Sequence, residues 1–168
     1  MSPRPVLEAF GRTVALLCTI AALPAALDAQ DRDVPLTERA RGAERVVVGH
    51  VSAVTPVWTD NDFGDRLIIS VVRVVVDETL KGSPQQAVDV EVEGGTIGSL
   101  TLRVSDLDTF TPGDRAVFYL ARNRRGAFVP HLRGLGLQKL DQAGRVRGSS
   151  VTLDQVRRDV RAGAGRQP

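Results

Sequence analysis

The chain has 168 residues, 42% hydrophobic and 25% charged, with a formal net charge of +2. That length fits one globular domain and leaves little room for two. The small net charge implies no polyanionic partner on its own. Aromatic residues make up only 4%, so the core must be built from Val, Leu, Ile and Ala.

Arg4 and Arg12 precede an apolar run from Thr13 to Leu27, interrupted only by Pro24. A basic start, a short apolar segment and a small-residue exit make a cleavable signal peptide over residues 1–29, with Ala29 before the cut and Gln30 after it. The run is shorter than the roughly 20 residues a membrane-spanning helix needs, so no transmembrane segment is expected after cleavage. The protein is therefore expected to be exported, to the periplasm or beyond. The only cysteine, Cys18, lies inside this segment. The mature chain then has no disulfide, no thiolate metal site and no cysteine nucleophile.

Residues 30–44 read as a polar leader and one or two helical turns over Leu36–Glu44, with Thr37 as N-cap. The apolar period then changes to two. Arg45–Val54 is rich in β-branched residues and predicts a strand. Trp58–Asp65 predicts a polar loop, and Arg66–Leu80 a long strand that a small barrel would bend around a corner. Ala87–Glu93 alternates cleanly, with Val88, Val90 and Val92 on one face and Asp89, Glu91 and Glu93 in water. Gly94-Gly95 starts a turn, and Ser99–Val104 alternates again with Leu100 and Leu102 inward. Further strands are expected over Arg115–Ala121, Ala127–Leu132 and Leu135–Leu140, with Pro130 marking an edge or a bulge. Arg145–Gly148 would pair back across a turn. Thr152 would cap a short helix over Leu153–Arg161, so that residues 45–148 form the β-domain and 149–168 a helix and tail.

Strands this short, with frequent turns and no helical crossovers, predict an all-β fold: a small OB-like barrel or sandwich of about 6–8 antiparallel strands with short terminal helices. Expected core residues are Val46, Val48, Ile68, Ile69, Val72, Val74, Val88, Val90, Leu100, Leu102, Val117 and Tyr119, with alternate members of each long run facing inward.

Charge divides along the chain. From Gln30 to Leu120 there are 9 basic and 15 acidic residues; from Ala121 to Pro168 there are 11 basic and 3 acidic. One reading is a basic face centred on Arg157, Arg158 and Arg161 that binds an acidic protein or a polyanionic envelope component. The other is that the two halves fold against each other and the charges form a solvated rim. Nucleic acid is not expected, since the basic half offers only Phe128 for stacking on a base.

Catalytic constellations are weak, and no cofactor is expected. His50 and His131 are the only histidines, too few for a zinc site without carboxylates to complete it. Asp60, Asp62 and Asp65 form the one tight acidic cluster. Counted from Asp60, however, Gly64 stands where the third ligand of an EF-hand belongs and Val71 where its terminal glutamate belongs, leaving only a looser calcium loop. Gly94-Gly95-Thr96-Ile97-Gly98 lacks the Lys-Ser/Thr ending of a phosphate loop and leads into a strand. No serine sits in a Gly-x-Ser-x-Gly elbow.

The succession VVVGHVSAV, VVRVVVDETLKG, VEVEGGTIG, FTPGDRAVFYLAR and HLRGLGLQKLD, spanning Ala43 to Leu140, resembles a family of exported bacterial domains, some of which accompany secreted metalloprotease-like proteins. The layout is also similar to the OB-like barrels of netrin-like modules, including metalloprotease inhibitors. These motifs are strand ends and turn glycines, so the resemblance implies a fold and no site residue. Netrin-like inhibitors depend on an N-terminal cysteine and disulfides, which the mature chain lacks. The expectation is thus a non-enzymatic exported binding module of the cell envelope. The alternatives are a metal-dependent or hydrolytic enzyme using His50 or His131 with carboxylates, and a calcium-stabilised structural domain.

Overall fold

A computed structural model describes residues 34–60 and 63–165. The signal-peptide segment 1–29, Cys18, the proposed new terminus Gln30 and Asp62 lie outside the described residues. The elements run α1 (Leu36–Gly42), β1 (Arg45–Asp60), β2 (Arg66–Lys81), β3 (Ala87–Glu93), β4 (Gly95–Ile97), β5 (Leu100–Leu102), β6 (Arg115–Arg122), β7 (Phe128–Pro130), a 3₁₀ turn (Arg133–Gly136), β8 (Leu137–Lys139) and α2 (Leu153–Ala164).

Five strands close a ring in the order β1-β2-β3-β7-β6 and back to β1, with β8 added to β6 beside β7. The fold is a small closed β-barrel, one of the two architectures the sequence predicts. Every strand pairing is antiparallel except β3–β7, where a single parallel contact, Val90 to Phe128, closes the ring. β1 and β2 pair along their whole lengths, from Val46 opposite Lys81 to Asp60 opposite Arg66. Bulges at Val46/Val47, Val48/Gly49 and Val51/Ala53 supply the bends that carry one strand around two sides of a barrel. β4 and β5 form a separate small hairpin.

The core has two layers. Val47, Val51, Val72, Val74, Val90, Phe118 and Leu120 fill the barrel. Val46, Val48, Val117 and Tyr119 point outward from the same strands and pack under the helices, against Ala40, Val156 and Val160. The expectation that alternate residues face solvent therefore fails on β1 and β6, because α1 and α2 cover that side. Leu100 is a second correction: it is 58% exposed, since β5 belongs to the hairpin outside the ring. The α1 cap is a third. Pro35, not Thr37, occupies the N-cap and makes no side-chain hydrogen bond. Trp58–Asp60 is a fourth, because it continues β1 as strand where a loop was expected.

α1 is instead fastened at its C-terminus. Lys81 Nζ donates to the carbonyls of Ala40, Arg41 and Ala43 at 2.9, 3.1 and 2.7 Å, placing a cation on the negative end of the helix. α2 begins as expected, with Thr152 Oγ1 accepting from Gln155 N at 3.3 Å. It meets α1 at Gly163, where an added Cβ would lie 2.5 Å from the Thr37 carbonyl oxygen and 3.1 Å from Ala40 Cβ.

Gly163→Ala tests that contact. In an unpartnered helix the change stabilises by about 1 kcal/mol; here it should lower the urea midpoint, because the helices must part to admit the methyl group. A raised midpoint would mean that α1 and α2 are not held this close in solution.

Candidate functional site

Alternation on β3 sends Val88, Val90 and Val92 into the barrel and leaves Asp89, Glu91 and Glu93 outside, as the sequence predicts. The register with β2 sets Glu91 opposite Val71 and Glu93 opposite Ile69. On the other side of β3, β7 contributes Val129 and Pro130. Two turns flank this outer face. The β1–β2 turn contributes Phe63, 87% exposed, and the β6–β7 turn contributes Asn123 and Arg125. Together they border a cleft of about 170 Å³.

Its apolar base (Ile69, Leu107, Val129 and Pro130) is fenced by paired charges. Glu91 Oε2 accepts from Arg125 Nη2 at 2.6 Å and from Asn123 Nδ2 at 3.1 Å. Arg125 Nη1 also donates to Thr59 Oγ1 at 2.6 Å. Asn123 Oδ1 accepts from the backbone N–H groups of Arg125 and Ala127, which fixes the turn that aims Arg125. Arg133 grips Asp106 with two hydrogen bonds of 2.7 and 3.0 Å and reaches Glu93 at 3.4 Å. That hydrogen bonding holds the Asp106 carboxyl below its ordinary range and lifts Arg133. The cleft is thus a shaped apolar floor with a fixed rim of nearly balanced charge.

The two histidines have different surroundings. His50 lies opposite Arg115 at one end of the β1–β6 pairing, and its Nδ1 is 3.0 Å from Asp77 Oδ1. Asp77 Oδ2 also accepts from Arg115 Nε at 3.3 Å. His131 sits at the other end, where its N–H donates to the Tyr119 carbonyl at 2.8 Å and its ring presses against Gly42 at the end of α1. Among the described residues, no three His, Cys, Asp or Glu side chains gather as a metal-binding group. Asp60 ends β1 opposite Arg66, and Asp65 lies just before β2.

The basic half is shared out among acidic partners. Arg157 donates to Glu78 through Nε and Nη2, at 2.9 and 2.7 Å to Oε2, and to Asp154 at 2.6 Å. These bonds raise its already high pKa. Arg158 reaches Gln155 Oε1 at 2.6 Å, and Arg161 is exposed farther along α2. Arg122 pairs with Glu44 and Arg147 with Asp114. Of the three arginines expected to form a basic face, Arg157 is thus committed within the protein. Arg125 and Arg133 belong to the basic half expected to form a binding face, but they sit here in ion pairs, and Phe63 is not anticipated. The available signal was a large aromatic in an otherwise polar turn.

His131 generates a prediction. Burial, reinforced by the nearby Lys81 charge, lowers its pKa in the folded protein. The unfolded chain therefore takes up its proton first, and stability should fall as pH drops through the ordinary histidine range near about 6.5. His131→Gln should flatten that part of the profile in urea unfolding measured from pH 8 to 5. An unchanged slope would place the pH dependence elsewhere.

No protein-family model matches the chain, and no curated protein is similar to it in sequence.

Proposed function

We propose that the protein is a non-enzymatic binding module of the bacterial cell envelope, exported by the signal segment over residues 1–29, and that it engages its partner through the outer face of β2, β3 and β7. The observation that carries this reading is the cleft between the Phe63 turn and the Asn123–Arg125 turn. OB-like barrels bind ligands on the faces of their second and third strands, between the loops joining strands one to two and four to five. In the ring described above those strands are β2 and β3, and those loops carry Phe63 and Arg125. An exposed aromatic beside an apolar floor, rimmed by arginines, has the composition that dominates protein-binding surfaces.

The rim sets Glu91, Glu93 and Asp106 against Arg125 and Arg133, so it offers no excess of positive charge to an acidic ligand. The partner that fits is a protein segment with an apolar anchor for the floor and polar groups for the rim. Arg158 and Arg161 on α2 form the rival surface, suited to an acidic partner. None of the described helices is long and apolar enough to cross a membrane.

The test is capture from a cell-envelope extract with the full chain as bait, compared across two variants. Phe63→Asp with Arg125→Glu should abolish capture of a defined band, whereas Arg158→Glu with Arg161→Glu should retain it. The second pair omits Arg157, because reversing that charge beside Glu78 would disturb the fold. Loss with the α2 pair alone would move the site to the helix. N-terminal sequencing of the exported protein should begin at Gln30.

A further inference from the structure

A second and larger recess lies at the mouth of the barrel, on the inner side of β1, β2 and β3. Its volume is about 580 Å³, inside the range of about 300–1,000 Å³ typical of small-molecule sites, which favour the mouths of β-barrels. Val72, Val92 and Phe110, all members of the barrel core, line it, and the connection from Leu102 to Phe110 forms the opposite wall. The floor is packed from below. The Phe110 ring lies 5.4 Å from Phe118 at an interplanar angle of 33°, and Lys139 Nζ sits 4.9 Å from the centre of the Phe110 ring.

The chain leaves this space open through two glycines. Gly94 and Gly95 take φ values of 108° and 138°, which other residues rarely adopt, and turn the β4–β5 hairpin over β1 and β2. A Cβ at Gly95 would lie 2.6 Å from Ser70 Oγ. Ser70 Oγ donates to the Gly94 carbonyl at 2.7 Å and keeps its acceptor lone pairs, while Thr96, Ser105 and Thr109 add hydroxyls. Charges of both signs line the rim, Arg103 with Asp108 and Glu93, and the Glu93 carboxylate is shared with Arg133. An ion of either sign gains little there.

We propose that the barrel mouth is a ligand site separate from the outer cleft, and that it takes a small, uncharged amphipathic molecule whose apolar body rests on Val72, Val92 and Phe110 and whose head hydrogen-bonds to the hydroxyl rim. This assignment is independent of the protein-binding reading of the outer face.

The probe is N-phenyl-1-naphthylamine, a neutral amphipathic fluorophore, titrated into the full chain. The expected result is saturable single-site binding that shifts the amide resonances of Gly94, Gly95 and Ser105. Thr109→Trp, a bulky change at an exposed rim position, should weaken binding at least tenfold, and Arg125→Trp in the outer cleft should leave it unchanged. The amide spectra of both variants report whether each remains folded. Absence of saturable binding overturns the proposal. So does weakening by Arg125→Trp alone, which would put the probe in the outer cleft. Tighter binding of the anionic analogue 8-anilinonaphthalene-1-sulfonate would overturn the assigned ligand class.

Discussion

The seam between β1 and β6 carries the rest of the structure. From Arg45 opposite Leu120 to Val48 opposite Val117, its side chains are buried on both faces, half within the barrel and half beneath the helices. Each valine removed from water in this way contributes about 1.5–3 kcal/mol relative to an exposed one. The same pairing closes the ring, so the apolar energy that docks α1 and α2 also holds the barrel shut. Without the helices, Val46, Val48, Val117 and Tyr119 would form an exposed apolar stripe of the kind that drives association. This arrangement lets a chain with few aromatics and no disulfide build a sufficient core. Tyr119 shows its cost: the hydroxyl is buried without a hydrogen-bond partner among the described residues, and burial pushes its pKa up. Arg45 is a similar case inside the barrel. It is 6% exposed, with Nε and Nη1 without a hydrogen-bond partner among the described residues and its guanidinium 5.1 Å from the Phe128 ring centre, a contact that offsets part of the desolvation.

Charge follows a different rule. The acidic first part and the basic last part of the chain are joined by ion pairs that cross the fold: Glu44 with Arg122, Glu91 with Arg125, Glu78 with Arg157 and Asp114 with Lys139. Exposed pairs of this kind contribute about 0–1 kcal/mol each, so they orient the parts more than they stabilise them. Asp114 and Lys139 are the exception, with side chains only 12% and 14% exposed. Burial raises the Asp114 pKa, but the Lys139 hydrogen bond and the bonds from Thr111 outweigh it and hold the carboxyl below its usual range. A charge asymmetry that is strong along the sequence is thus largely spent within the molecule.

What the sequence disclosed follows from the range of the interactions concerned. Ala87–Glu93 is a strand with the expected bounds and faces because period-two alternation is a local signal that one buried face enforces. Thr152 caps α2 because capping needs only the next three residues. Trp58–Asp60 continues β1 because its cross-strand partners are Ile68, Leu67 and Arg66; a polar segment becomes strand when a long apolar neighbour pairs with it. α1 depends on Lys81, some 40 residues away, and nothing in LTERARG reveals that partner. The outer cleft was hidden for the same reason. Phe63, Glu91 and Arg125 become neighbours only through ring closure, and of the three only Phe63, an aromatic in a polar turn, stands out alone.

The connection from Leu102 to Phe110 joins the two recesses physically. Leu107 and Glu93 line both, one as a shared apolar wall and the other as a carboxylate bound to Arg133 on the outer side. Arg133 in turn holds Asp106, which lies within that connection and beside Leu107. Arg133 therefore anchors, through Asp106, the same segment that walls the barrel mouth, and through Glu93 the strand that lies between the two spaces. One short segment is the boundary of both recesses, and a single arginine on the outer side fixes its position.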